Sequence, residues 1–176
     1  MTHGNRGYLY DMPEDPNGPD NLNEPPSFFP YDRNEPDHEP GNMGEPVEVS
    51  IEGVFAAESA GNVSRFVLLS DGVRKLPILI GAYEAQAISL PLEGSRPDRP
   101  MSHDLMQHIL ERLGYRVSRV VIDDLWNSVY YAKVYLTNGK EEIELDARPS
   151  DAIAIAVRFE ASILVADEIM NVGLGE

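Results

Sequence analysis

Slid against itself by 67 positions, the chain aligns without a gap from its middle to near its end, and this register limits the possible folds more than any other feature. Asp71-Gly72 falls on Asn138-Gly139, and Val67 and Leu69 fall on Val134 and Leu136. "EAQAISL" from Glu84 falls on "DAIAIAV" from Asp151. Chance aligns a turn or a helix singly; both in one ungapped register indicate a duplicated unit of hairpin then helix. Asp-Gly and Asn-Gly each suit a two-residue type I′ turn, whose central residues both need positive φ.

Periodicity fills in the rest. "VEVSIEGVF" alternates, placing Val47, Val49 and Ile51 on one strand face and starting the domain at residue 46. "VSRFVLLS" and "VRKLPILI" are the first hairpin, and "AYEAQAISLPLEG" is its helix. "RPMSHDLMQHILERLG" is a second helix with Leu105, Met106, Ile109, Leu110 and Leu113 on one stripe and Gly114 as its stop. Strands follow near 115–123, 129–137 and 140–146, then the duplicate helix, the strand "SILVA" and a helical turn from Asp167. The expected fold is α+β: a mixed or antiparallel sheet of duplicated β-hairpin–helix units with helices packed on it. Ala85 and Ala87 in one helix, and Ala152, Ala154 and Ala156 in the other, allow close approach around a pseudo-twofold axis.

Residues 1–45 hold eight of the 14 prolines, with ten acids against two bases, and read as a disordered acidic Pro-rich tail ahead of a 46–176 domain. Tyr8, Tyr10 and the run Phe28-Phe29-Pro30-Tyr31 make either a docking segment or part of a plain solvated tail. The whole chain carries 14 basic and 30 acidic residues, a formal charge of −16, which disfavours binding polyanions through a broad basic face. Cysteine is absent, so disulfides, thiolate metal sites and cysteine nucleophiles are excluded. Neither a membrane-spanning run nor a signal-peptide pattern is found, and the expectation is a soluble cytoplasmic protein.

Two helix starts carry the candidate chemistry: Arg99-Pro100-Met101-Ser102-His103-Asp104 and Arg148-Pro149-Ser150-Asp151. Each gathers a guanidinium, a hydroxyl and a carboxylate around free helix amides, an arrangement that either binds phosphate or merely caps a helix. On the binding reading Ser102, Ser150, Asp151 and Glu84 touch substrate. Asp151 and Glu84 are duplicates of each other near helix starts, where a carboxylate suits the helix dipole without any further role. Asp146 and Arg148 have Leu79 and Gly81 as counterparts, so duplication does not account for them. His103 is the candidate for proton transfer or metal ligation beside Asp104. Asp104, His108 and Glu111 share a helix face opposite the apolar stripe, as a cation site or a solvated face. Glu142, Glu144 and Asp146 line one strand face, ordinarily the wet side, with Asp146 at the strand end. Glu93 lies in the loop between helices, near Arg99 and His103 in sequence.

"LPILIGAYEAQAISLPLEG", "RPDRPMSHDLMQHILERLGYRVSRVVIDDL", "YYAKVYL" and "IELDARPSDAIAIAVR" together resemble the bifunctional nuclease domain family over residues 46–172. The matching motif positions are Glu84, Glu93, Arg99, Pro100, His103, Asp104, Asp146, Arg148, Pro149, Ser150 and Asp151; Pro91 departs from the pattern and is expected to end the first helix early. The resemblance implies hydrolysis of phosphodiester bonds in RNA and DNA, an activity attributed to plant members. It also implies a compact α+β domain and a homodimer or higher homo-oligomer. On that reading Glu93, Asp104 and Asp146 hold one or two divalent ions, Mg or Mn. His103 is then the acid/base, Arg99 and Arg148 stabilise the developing charge, and RNA or single-stranded DNA is the substrate. Two other readings use the same residues. One is a non-enzymatic anion-binding or regulatory oligomeric domain. The other is a structural oligomer with Arg148 paired to Asp146 and Arg99 paired to Glu93.

Overall fold

The computed structural model describes residues 41, 43–59, 61–95 and 97–172. The expected tail, with its aromatic clusters, lies outside the described residues up to residue 40. The elements in chain order are β1 (Pro46–Ser59), β2 (Asn62–Ser70), β3 (Lys75–Ile80), α1 (Ala82–Leu92), α2 (Ser102–Arg112), β4 (Arg116–Trp126), β5 (Val129–Thr137), β6 (Glu142–Ala147), α3 (Pro149–Phe159), β7 (Ser162–Ala166) and α4 (Asp167–Val172).

The duplication is present residue for residue. Displaced by 67 positions, β2 becomes β5, β3 becomes β6 and α1 becomes α3 with identical bounds. The pairing repeats as well: Arg65 opposes Ile80 as Ala132 opposes Ala147, and Ser70 opposes Lys75 as Thr137 opposes Glu142. The seven strands form one sheet in the order β3-β2-β1-β7-β4-β5-β6, symmetric about β7. β7 runs antiparallel to β1 and parallel to β4, so β1 and β4 point in opposite directions, as a pseudo-twofold axis near β7 requires. The second half departs from the first by an extra bulge in β4 between Ile122 and Asp124.

The turns differ from the two-residue type I′ expectation. Four residues connect each strand pair, and only the glycines at 72 and 139 take positive φ there. The reason is side-chain competition. Asp71 accepts from the backbone N–H of Val73 and Arg74, and Asn138 accepts from Lys140 and Glu141, so each makes an Asx-type turn in place of the tighter hairpin.

The core lies between the sheet and the helices. Val67, Leu69, Leu76, Val120, Ala132 and Val134 present one side of the sheet, and α3 is buried from Ala152 to Ala156. Alanine at alternate positions lets α3 seat closely against α1, whose buried residues are Ala85, Ala87 and Ile88. Pro91 does not shorten α1, which runs on to Leu92. Proline is tolerated in that last turn at the expense of one backbone hydrogen bond.

The helix α2 is reversed relative to expectation. None of its residues is buried, and its polar side faces α3 while most of its apolar stripe faces outward. Among the described residues no helix is long and apolar enough to cross a membrane.

Candidate active site

Three helix beginnings meet at one point. Glu84 lies in the first turn of α1, His103 in the first turn of α2 and Asp151 in the first turn of α3. His103 Nε2 is 3.1 Å from Asp151 Oδ1, and Arg148 Nε donates to Asp151 Oδ2 at 2.8 Å. The Arg148 guanidinium also reaches Glu84 Oε1 at 3.4 Å. The two duplicated carboxylates are thus brought to one arginine that has no duplicate. Gly81, which stands where the second half has Arg148, leaves room for Glu84: a Cβ there would collide with the Glu84 carboxylate.

The electrostatics are consistent with a charged cluster. Burial pushes the Asp151 carboxyl up, but hydrogen bonds from Arg148 and His103 outweigh it and hold the group below its ordinary value. Asp151 is therefore an acceptor at neutral pH, and a carboxylate accepts only. The proton in the His103–Asp151 bond then belongs to Nε2, so Nδ1 is the ring nitrogen that can accept a proton. His103 is largely covered, whereas Arg148 is two-thirds exposed, so the arginine can offer part of its fork to an anion.

A second network supports the first. Arg158 is 4% exposed and donates to Asp104 Oδ1 at 2.6 Å, to the Ala87 carbonyl at 2.8 Å and to the Ala154 carbonyl at 2.7 Å. Asp104 Oδ2 accepts the Met101 N–H at 2.7 Å, and Gln107 Nε2 donates to the Arg158 carbonyl. Burial pushes Asp104 up, but the Met101 amide and Arg158 more than offset it. This clamp ties α2 to α1 and α3 one residue from His103. Arg158 was not among the sequence candidates. Its signal was a charge that follows the apolar run Ala152 to Val157, at the position where the first half has Pro91.

Other expected site residues lie elsewhere. Asp146 of β6 opposes Lys133 of β5, on the sheet face away from Ala132, Val134 and Leu136, and Lys133 pairs with Asp123 and Glu144 on that same outer side. Period two puts Asp146 there, so it does not join Arg148 across the strand end. Glu93 is the exposed C-cap of α1, and Arg99 is exposed in the loop before α2. Neither is joined to the His103 cluster by a hydrogen bond or ion pair among the described residues. Ser102 is exposed on the first turn of α2, and Ser150 is buried on the first turn of α3. The proposed structural pairs Arg148–Asp146 and Arg99–Glu93 do not form; Arg148 pairs with Asp151 and Glu84 instead.

The expected metal trio is not assembled within this chain. Among the described residues no group of three His, Asp or Glu could hold an ion, and Asp104 is already engaged by Arg158 and the Met101 amide. A cleft of about 680 Å³ opens next to this clamp, lined in part by Asp98, Asp104, His108, Glu111 and Glu160. Arg158 also lines the cleft but is engaged by Asp104, and Asp98, Glu111 and Glu160 disfavour a phosphodiester there; an exposed guanidinium suited to an anion stands instead at Arg148, beside Asp151 and His103.

Fold and site together define a duplicated α+β domain with a histidine–carboxylate–arginine cluster at converging helix starts. The model of the bifunctional nuclease domain matches residues 67–173, and the chain belongs to that family. An uncharacterized protein of Mycobacterium tuberculosis (strain ATCC 25618 / H37Rv) is 34% identical over 123 residues, covering 70% of this chain and 73% of its own length. Bifunctional nuclease 1 of Oryza sativa subsp. japonica is 36% identical over 93 residues, covering 51% of this chain and 28% of its own. Bifunctional nuclease 1 of Arabidopsis thaliana is 29% identical over 93 residues, covering 51% of this chain and 29% of its own. The chain thus spans less than a third of each of these plant relatives.

Proposed function

We propose that the protein is a nuclease that hydrolyses phosphodiester bonds of RNA or single-stranded DNA in the cytoplasm, working as a homodimer or higher homo-oligomer. The observation that carries this reading is the His103–Asp151–Arg148 cluster in a member of the bifunctional nuclease domain family. Asp151 orients the imidazole, and Nδ1 takes a proton from water as its oxygen forms the new bond to phosphorus. The bond to the leaving nucleotide oxygen breaks, and the imidazolium returns the proton to that oxygen. Arg148 binds the phosphate oxygens as charge builds on them. Water as the nucleophile needs no 2′-hydroxyl, so one mechanism serves both polymers.

A requirement for Mg or Mn belongs to the same reading as a question for assay. The trio expected to hold the ion is not gathered in this chain, so no step is assigned to it.

The test is hydrolysis of RNA and single-stranded DNA oligonucleotides by the full chain, with Mg²⁺, with Mn²⁺ and with chelator. Cleavage by the wild type, lowered roughly 10²–10⁴-fold in His103→Gln, supports the assignment. Intact oligonucleotides under all three conditions, from protein that is folded by circular dichroism, would overturn it. Calorimetric binding of those oligonucleotides without turnover would instead select the anion-binding domain.

A further inference from the structure

Tyr83 is a side chain beside the site to which the hydrolytic chemistry gives no role. It stands in the first turn of α1, one residue before Glu84, and is 84% exposed. Its counterpart under the 67-residue repeat is Ser150, which is buried on the first turn of α3. The two halves agree in backbone at this point and differ in what they show to solvent. Gly81 and Ala82, just before Tyr83, are small and exposed as well, so the first turn of α1 leaves the ring uncovered. Tyr83 makes no hydrogen bond, ion pair or ring contact with another described residue. A tyrosine ordinarily contributes by burying its ring and bonding through its hydroxyl, and this one does neither.

We propose that Tyr83 is a stacking platform for a nucleobase of the strand whose phosphate lies on Arg148, and that it makes the site prefer unpaired strands. This role rests on the nuclease reading and deepens it, naming how the strand is held. Three observations support it. The first is placement. Helical side chains lean toward the N-terminus of their helix, and the N-terminus of α1 is where Glu84 meets the Arg148 guanidinium at 3.4 Å. The ring of Tyr83 therefore leans toward the end of α1 that adjoins the exposed arginine. Charge is the second. A chain of formal charge −16 attracts phosphates weakly at long range, so an uncharged contact has to supply much of the affinity. Stacking does so for any base, because every base has a π-face. Exposure is the third. A base within a duplex has both faces covered by its neighbours, whereas an unpaired base can lie against an open ring such as this one.

A contact of this kind fixes the nucleotide beside the phosphate. Arg148 would hold the charge and Tyr83 the base, so that the phosphorus is presented to His103 by two anchors of different chemistry.

Binding of two labelled strands, read by fluorescence anisotropy, tests the role without using hydrolysis. One is an oligothymidylate of about eight nucleotides and the other an abasic strand of the same length and charge. The full chain carries His103→Gln in this measurement, so that the strands stay intact. The expected result is binding of the oligothymidylate roughly tenfold tighter than of the abasic strand. Tyr83→Ala should abolish that advantage and Tyr83→Phe should keep it, with the abasic strand bound equally by all three. Tyr83→Leu, apolar but without a flat ring, takes the place of Tyr83→Ala should that variant fail to fold. Equal binding of the two strands, an advantage that survives loss of the ring, or binding of neither strand would overturn the proposal. Hydrolysis by the His103-bearing chain that is indifferent to Tyr83→Ala would sink the stacking role alone. Base-dependent binding through Tyr83 in a protein that cleaves no oligonucleotide would sink the nuclease reading alone.

Discussion

Arg158 donates a hydrogen bond to the Ala87 carbonyl, the carbonyl that Pro91 leaves without its helical N–H donor. Pro91 and Arg158 are counterparts under the 67-residue repeat, and so are Ala87 and Ala154, whose carbonyl Arg158 also engages. A departure in one half is thus answered by a departure at the same place in the other. Arg158→Met should cost about 2–4 kcal/mol in urea unfolding, because it leaves the half-buried Asp104 carboxylate without its cation and the Ala87 carbonyl without a donor, while Ala154 keeps its helical N–H partner. Pro91→Ala restores the missing N–H, and in the Arg158→Met background it should recover about 1 kcal/mol. Strictly additive effects in this double-mutant cycle would count against the coupling.

The acid limb of stability follows from the depressed carboxylates. Asp104 and Asp151 titrate below their ordinary value in the folded chain. Asp71, held at about 2 by the N–H groups of Arg74 and Val73, behaves likewise. A depressed folded value means that the stabilisation is complete above the unfolded carboxylate value and is lost as pH falls through the folded one. The melting temperature should therefore show no loss from these groups at neutral pH and should fall below about pH 4. In Asp104→Asn that fall should be shallower, and an unchanged slope would show that the clamp does not contribute to it.

Asp146 and Asp151 provide a test of position. Asp151 touches His103 and Arg148, whereas Asp146 sits on the outer strand face opposite Lys133. In the oligonucleotide assay Asp151→Asn should lose roughly 10²-fold or more, while Asp146→Asn should stay within about twofold. Equal losses would argue that the strand end belongs to the site after all.

The paired turns make a stability prediction of their own. Asn138→Ala removes the side-chain acceptor for the Lys140 and Glu141 amides and should cost about 1 kcal/mol in urea unfolding. Asp71→Ala should cost more, since Asp71 also pairs with Arg74, which in turn reaches Asp167 and Asn171 on α4. A smaller loss for Asp71→Ala would remove that link from the account.

The architecture was legible because it is repeated. The offset that superposes Asp71 on Asn138 also superposes the helices, and periodicity could not have produced both by accident. The turn type was misread because glycine signals a hairpin while the preceding Asp or Asn decides which one. At the site, a helix-start role for Glu84 and Asp151 is not the whole of it, because a pseudo-twofold brings together equivalent positions that lie near its axis. Both carboxylates reach Arg148. Asp146 was singled out for lacking a duplicate, but strand alternation, also visible in the sequence, places it on the outer face. Arg158 and the outward stripe of α2 were hidden for a shared reason. Which side of an amphipathic helix turns inward depends on partners distant in sequence, and here a buried guanidinium takes the inner side.

The strand at the middle of the sheet, β7, is also the last strand along the described chain. Through β6 the two halves can each form a three-stranded meander, yet the β1 and β4 edges that will meet β7 remain open until residues 162–166 are available. During synthesis the nascent polypeptide would therefore carry two unfinished sheets at once, each a template for the wrong neighbour. Closure late in translation, as a short segment slots between halves already made, would make the final step of folding one of long sequence separation.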